Sequence, residues 1–446
     1  MLILTKKFDF KRLTRLILII MASVSSTSSV KPDIKLKISL KINTPMKEDI
    51  PFSSLSKTLT SQISKSDKKA DGIFFTPPND INNILSLLEP YMDAVTSILE
   101  PSCGSCEFIN HIESKYNKEI TGIEYNKFIY DSIKYMESDK IKLLHEDFLD
   151  LTMDNKYDLI IGNPPFKVLK KTEVSVQFHD YFDGRPNIFI LFIIKSLKLL
   201  NTNGILSFIL PQNFLNCLYY DKTRKYIHDN FNILNIIECN SNYIDTQQDT
   251  IILMVHNAAP KNNHNYTLNV SEYTIFGTKS NITKLRSFYT NYTTLDKLHF
   301  NVNVGNVVWN QCKTKLTSDS SHTRLIYSSD ISDIDSVKTY KNLKKKNYID
   351  KPGESGPLLV LNRGYGVGQY KFEYCLLDLN YDYLIENHLV CIRYLGEVAD
   401  EELIQKYNSI IKSFSNKKTQ EFIKIYFGNN AINTTEINYI LPIFIS

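Results

Sequence analysis

The stretch Tyr157-Asp158-Leu159-Ile160-Ile161-Gly162-Asn163-Pro164-Pro165-Phe166 limits what this chain can fold into more than any other. Its apolar run has the length of one buried strand and stops at two consecutive prolines. Proline has no backbone N–H to give to a ladder and holds φ at about −65°. It also steers the residue before it away from the helical region. The chain must therefore leave the sheet in a stiff, extended turn. In an open α/β sheet, a turn at the carboxyl end of a strand borders the crevice where ligands bind. This one would present the Asn163 amide, the carbonyls of Pro164 and Pro165, and the ring of Phe166. Acceptors beside a flat ring suit an exocyclic amino group on a planar base. Taken alone, the four residues also fit a plain strand-ending turn with Phe166 in the core.

The flanking pattern extends the sheet. Apolar runs at residues 95–99, 120–123, 141–144, 205–210, 233–237 and 250–255 read as further strands, and helical periodicity at 81–88, 108–116, 128–136 and 188–200 separates most of them. Strands alternating with helices predict an α/β fold, a doubly wound, mostly parallel seven-stranded sheet. No helical pattern lies between 233–237 and 250–255, so these two are expected as an antiparallel edge hairpin. After Pro260 the texture changes to Asn, Thr, Tyr and Lys. Short strands are expected there at 324–327, 357–361 and 388–393, and helices at 401–414 and 419–427. Three segments result: a basic, largely flexible arm over 1–69, an α/β domain over 70–257 and a mixed α+β domain over 258–446. Within the arm, Lys35, Lys37 and Lys41 alternate with apolar residues as in one short strand.

Composition narrows the class. The 43% hydrophobic and 22% charged fractions are those of a soluble globular protein. A net charge of +4 fits a nucleic-acid partner without requiring one. The seven cysteines are scattered and odd in number, which reads as reduced thiols inside a cell. Cys103 and Cys106 have a metal-pair spacing, yet no second pair or neighbouring His pair completes a zinc set, so no metal site is expected. The basic, then apolar, residues 6–24 look like a short signal peptide. A start at Met21 followed by a Ser-rich tail is preferred, because the cysteine usage belongs inside a cell. No segment is expected to cross a membrane.

Four successive strands each end in a polar anchor. Ile98-Leu99-Glu100-Pro101-Ser102-Cys103-Gly104-Ser105-Cys106-Glu107-Phe108 reads as strand, loop of small residues and helix start, where a ligand can approach the backbone. Gly122-Ile123-Glu124 ends the next strand with a carboxylate at the distance along the chain, roughly 20 residues, at which an acid holds two ribose hydroxyls. Glu146-Asp147-Phe148 offers a carboxylate to an adenine amino group beside an aromatic face. Asn163 to Phe166 closes the series.

In that order the residues resemble the amino-type DNA methyltransferases, in particular the γ class that writes N6-methyladenine and includes the TaqI methyltransferase. Phe75-Thr76-Pro77-Pro78 is similar to the class's helix-opening motif, 99–108 to its S-adenosylmethionine loop, and 163–166 to its catalytic motif. Phe208-Ile209-Leu210-Pro211-Gln212-Asn213-Phe214 is similar to a later strand-loop motif. The resemblance implies S-adenosyl-L-methionine as cofactor, held by Thr76, Glu100, Pro101, Ser102, Cys103, Gly104, Phe108, Glu124, Asp147, Phe148, Asn163 and Pro165. It implies Asn163, Pro164, Pro165 and Phe166 as catalytic residues. Phe166 and Tyr220 would stack on the target base, with Tyr219 the alternative to Tyr220. Cys106 stands where the class usually has glycine and is expected to crowd the methionine end. Phe166 stands where tyrosine is commonest; stacking needs no hydroxyl.

The implied function is site-specific N6-adenine methylation of duplex DNA, of the type II restriction-modification kind. The adenine amino group is a poor nucleophile because its lone pair is delocalised into the ring. Accepting its two N–H bonds and aligning it with the methyl donor would restore reactivity by orientation and fixed dipoles. The base would have to be flipped out of the helix. Residues 258–446 would then read the DNA site. Lys313, Lys315, Arg363, Lys371 and Lys417 are candidate phosphate contacts, and the glycine-spaced stretch 364–368 could approach DNA closely. The expected partners are double-stranded DNA and a restriction endonuclease acting separately. The protein is expected to be a monomer and intracellular, wherever the DNA is. Protein-glutamine and ribosomal-RNA methyltransferases also use an Asn-Pro-Pro-aromatic turn; the large segment after the sheet argues for DNA. An inactive nucleic-acid-binding module is the third reading, against which the intact Asn163 motif speaks.

Overall fold

The computed structural model describes residues 50–239, 241, 243–244, 248–331, 346–364, 371–427 and 432–445. The stretch at 6–24 with its start at Met21, the strand pattern near 35–42 and most of the 364–368 loop lie outside them. Residues 50–69, expected as part of a flexible arm, instead form α1 (Ser54–Gln62) and run into α2 (Lys65–Asp71). The composition that reads as disorder is here capping chemistry. Ser53 Oγ accepts the Ser56 N–H at 3.1 Å and Ser64 Oγ accepts the Asp67 N–H at 3.1 Å. Gly72, at φ +71°, ends α2 in the left-handed region that glycine enters without penalty. The stretch around α1 is anchored by a buried acid. Glu107 accepts from Ser53 Oγ at 2.6 Å, from Ser53 N at 3.1 Å and from Ser56 Oγ.

The sheet follows the expected plan. Strands β1 (Ser97–Glu100), β2 (Glu119–Glu124), β3 (Ile141–His145), β4 (Tyr157–Gly162), β5 (Leu200–Pro211), β6 (Asn232–Glu238) and β7 (Thr250–His256) lie in the order β3-β2-β1-β4-β5-β7-β6. The pairs from β3 through β5 are parallel; β7 runs antiparallel to both β5 and β6. Helix α3 (Pro78–Leu88) precedes β1, and α4 (Glu107–Glu113), α5 (Lys127–Ile133), α6 (Ile188–Lys198) and α7 (Asp221–Asn230) lie in the connections between strands. Side chains alternate across the strands. Ile98, Leu159 and Ile161 pack with α3 and α4, while Leu99, Ile160 and Leu206 pack with α6. Both faces are covered, which is why β4 is apolar at nearly every position. Strand order reverses between β1 and β4, so the crevice outside their carboxyl ends is the switch point where ligands bind.

Beyond the sheet, a hairpin (Thr267–Val270 and Tyr273–Phe276) leads into α8 (Lys279–Phe288). Strands Phe300–Val304, Leu389–Tyr394, Leu358–Asn362 and Tyr374–Leu377 form an antiparallel sheet. Residues of this sheet share one core with α9 (Asp400–Phe414) and α10 (Lys417–Tyr426). A second four-stranded sheet joins Leu316–Thr317, Tyr348–Ile349, Thr323–Ile326 and Tyr383–Ile385.

A fully buried arginine binds these parts together. Arg224 on α7 donates to Phe214 O at 3.0 Å, to Cys217 O at 2.7 Å and, from Nε, to Thr274 O of the hairpin at 2.5 Å. Asp221 lies 3.4 Å from its guanidinium and accepts the Thr274 N–H at 2.7 Å. Nearby, Asn216 Nδ2 donates to Tyr426 O, and the Tyr426 hydroxyl to Glu436 at 3.3 Å. Burial pushes the Glu436 carboxyl up from 4.5 to about 7. The folded chain therefore keeps a proton that the unfolded chain releases, so this group's stabilisation is present below pH 4.5 and lost as pH rises through about 7. Glu436→Gln should flatten part of the fall in urea midpoint across that window. An unchanged slope would remove Glu436 as its source.

Candidate active site

At the switch point a cavity of about 240 Å³ opens. Among the expected residues, Pro101, Ser102, Gly104, Glu124, Asp147, Phe148, Asn163 and Pro165 line it. Phe75 and Glu146, which belong to the quoted motifs, line it as well, as do Phe74, Tyr125, Asn126, Ile129 and Phe192, which the sequence did not mark as site residues. Thr76, Glu100, Cys103, Phe108, Pro164, Phe166 and Tyr220 do not line it.

The loop after β1 is built by backbone bonds to β2 and its end. Cys103 N donates to Ile123 O at 2.9 Å, and Gly104 N donates to Glu124 Oε2 at 2.9 Å. The other Glu124 oxygen accepts the Asn126 N–H at 2.7 Å. Burial raises the Glu124 carboxyl from 4.5 to about 7, and its two backbone hydrogen bonds hold it lower than burial alone would. Glu100 is fully enclosed and its pKa lies well above the ordinary range, first through burial and then through Cys106 and the neighbouring acids Glu124 and Glu107. It stands under the loop instead of reaching the cavity.

Cys106 corrects an expectation. It sits at φ +60°, the conformation that explains glycine at this place, and its thiol is turned into the core beside Cys103 and Ile109. It does not line the cavity, so it does not crowd a ligand. The left-handed backbone costs a non-glycine residue about 1–2 kcal/mol.

Asn163 is held at the cavity wall by the N-terminal segment. Its Nδ2 donates to Phe74 O at 3.2 Å, while Ser102 Oγ donates to its carbonyl at 3.3 Å. Its Oδ1 is buried and has no hydrogen-bond partner among the described residues. The Tyr243 hydroxyl, also buried, lies at the Asn163 and Thr250 side chains; burial pushes its pKa up and their hydrogen bonding pulls it back. Gly72 meets the proline turn directly. A Cβ there would stand 2.8 Å from Phe166 N and 3.2 Å from Pro165 Cβ.

The aromatic expectation divides. Phe166 packs edge-on against Phe189 at 6.0 Å and stays partly exposed. Tyr220 is 4% exposed, edge-on to Phe189 at 5.2 Å and stacked with Phe214 at 6.5 Å. It is core, because the turn before α7 points it inward and its neighbour outward. Tyr219 is 51% exposed.

The Eco57I restriction-modification methylase family model matches residues 15–244. The chain belongs to this family. Similarity to the type II methyltransferase M.CvrRI of Paramecium bursaria Chlorella virus XZ-6E is 27% identity over 406 residues, covering 88% of this chain and 99% of that protein. The modification methylase CviBIII of Paramecium bursaria Chlorella virus NC1A is 34% identical over 176 residues, covering 38% of this chain and 45% of that protein. Among solved structures, the DrdV–DNA complex covers 84% of this chain and 55% of its own at 13% identity, with a TM-score of 0.49. This Eco57I-family methylase is thus a methyltransferase of the restriction-modification type, and S-adenosyl-L-methionine is its expected cofactor.

The residues present fit that cofactor. A buried carboxylate, a loop of small residues with exposed backbone and an aromatic wall face one enclosed space. Among the described residues, no cluster of three or more His, Cys, Asp or Glu could hold a metal ion, and no helix is long and apolar enough to cross a membrane.

Hydroxyl donors of a ribose favour the ionised form of Glu124, so binding of S-adenosylhomocysteine should tighten as pH rises through about 7. Calorimetry of Glu124→Gln should show weaker binding with that pH dependence gone; an unchanged profile would take Glu124 out of the site. Cys106→Gly should leave cofactor affinity unchanged and shift the melting temperature little, since relieved backbone strain and lost packing oppose. A severalfold affinity change would place the thiol at the ligand.

Proposed function

We propose that this methyltransferase acts on duplex DNA and methylates the N6 amino group of an adenine flipped out of the helix. The observation that carries the reading is Asn163 Oδ1, a buried acceptor at the cavity wall with no hydrogen-bond partner among the described residues, in an amide whose Nδ2 donates to Phe74 O. A buried acceptor left without a donor costs free energy, and an amino group entering the site would satisfy it. Asn163 Oδ1 and the Pro164 carbonyl accept the two amino N–H bonds and so direct the nitrogen lone pair out of the ring. Phe166 holds the base plane. The cofactor supplies an activated methyl group when bound, with Pro101, Ser102, Gly104, Glu124, Asp147 and Phe148 holding it. Residues 70–257 serve as the catalytic domain and 258–446 as the target-recognition domain.

For the second stacking ring we assign Tyr219. Tyr220 is enclosed by Phe189 and Phe214, whereas Tyr219 lies open beside Gly184. Base–aromatic stacking of about 1–3 kcal/mol would offset part of the cost of unstacking.

Asn163→Ala should lower methyl incorporation into DNA about 100-fold or more, the loss seen when a preorganised polar group is removed, while cofactor affinity changes little. Wild-type turnover in this variant would end the assignment. Tyr219→Ala should reduce the fluorescence gain of 2-aminopurine at the target position at unchanged melting temperature. Tyr220→Ala should instead lower the melting temperature, at about 3–5 kcal/mol for an excised core aromatic.

A further inference from the structure

Helix α6 is apolar from Ile188 through Ile194 and then carries Lys195, whose ammonium turns back under the loop after β3. It donates to Leu151 O at 2.6 Å, to Leu149 O at 3.1 Å and to Phe148 O. An ammonium has three N–H bonds, and here each has a carbonyl. The nitrogen also lies 4.9 Å from the Phe148 ring centroid. The same loop is wound by Asp147. Its backbone carbonyl accepts from Asp150 N at 3.1 Å and Leu151 N at 2.9 Å, and its Oδ1 accepts from Leu149 N at 2.8 Å. Asp147 and Phe148 line the cavity from this turn; Lys195 does not line it.

We propose that Lys195 is a positioning residue for the adenine end of the cofactor. By gathering three carbonyls it fixes where the Asp147 carboxylate and Phe148 ring stand, and so sets the preference for an amino over an oxo group at purine position 6. This rests on the reading of Asp147 and Phe148 as the adenine contacts. Burial draws the Lys195 pKa down and Asp147 and Asp150 hold it up, in keeping with an ammonium committed to this turn. Phe192, which leans on Phe148 at 5.1 Å, keeps the ring from swinging away from the ammonium.

The test measures binding of S-adenosylhomocysteine and S-inosylhomocysteine to the full chain by calorimetry. Lys195→Met keeps most of the apolar stem and removes the charge. It should weaken S-adenosylhomocysteine about tenfold or more, as expected when a charged hydrogen-bonding group is lost. The ratio of the two affinities should fall toward one, which a loss of global stability would not produce. If Lys195→Met does not fold, Lys195→Gln is read by the same ratio and should give a partial fall, since its single amide cannot serve three carbonyls. Asp147→Asn separates the two ideas. If it lowers the ratio while the Lys195 variant that folds retains the wild-type value, the positioning role is overturned. If neither moves the ratio, the adenine assignment of Asp147 fails and takes the proposal with it.

Discussion

The hydrogen bond from Asn163 Nδ2 to the Phe74 carbonyl joins two parts of the chain 89 residues apart, and the site depends on it. A side-chain amide on its own can turn over, exchanging an acceptor for a donor. Here the donor end is occupied, which sets the amide's orientation and leaves Oδ1 as the buried acceptor. The segment that supplies Phe74 follows α1 and α2, and α1 is tied to α4 through Ser53, Ser56 and Glu107. Gly72 lets that segment lie against Pro165 and Phe166 without a side chain between them. The two prolines add stiffness from within the turn. An orientation that the sheet alone could not impose is thus fixed from both sides.

The cofactor loop is held by a different means. Glu100, Glu107 and Glu124 are all buried around one short loop, where like charges in a medium of low dielectric would repel strongly. Glu107 is satisfied by serine hydroxyls from α1, Glu124 by two backbone N–H groups, and Glu100 is pushed toward its neutral form. The charge at this place therefore responds to what enters the cavity. A donor-bearing ligand draws Glu124 toward ionisation.

Much of this was legible in the sequence because the signals were local. The seven strands, the edge hairpin and the helices after residue 400 follow from runs and periods contained within each element. The lining residues Ser102, Gly104, Glu124, Asp147 and Asn163 follow from their places at strand ends. What escaped notice depends on contacts between distant elements. Helix α1 is short and polar, with Leu59 and Ser56 its buried residues, and it is held by contacts with distant residues: Glu107 through the serines, and Phe75 and Ile129 packed with Leu59. Tyr219 and Tyr220 are adjacent, and only the entry angle of α7 decides which ring faces outward. Lys195 left a trace, a cation after an apolar helical run, but its three carbonyl partners lie 44 to 47 residues away. Cys106 shows the reverse case: the departure from glycine was plain, while its direction into the core was not.

The buried guanidinium of Arg224 has a consequence for biosynthesis. Its partners include loop carbonyls that precede α7 and Thr274 O, which is made after the last strand of the large sheet. As the chain leaves the ribosome, the sheet can be complete through His256 while this cation still lacks one acceptor and Asp221 still lacks the Thr274 N–H. A nascent chain at that length carries an undersatisfied charge inside an apolar surrounding, a state that favours an open α7. The hairpin at 267–276 completes the hydrogen bonds of both Arg224 and Asp221, so the stability of α7 is tied to the segment that follows the sheet.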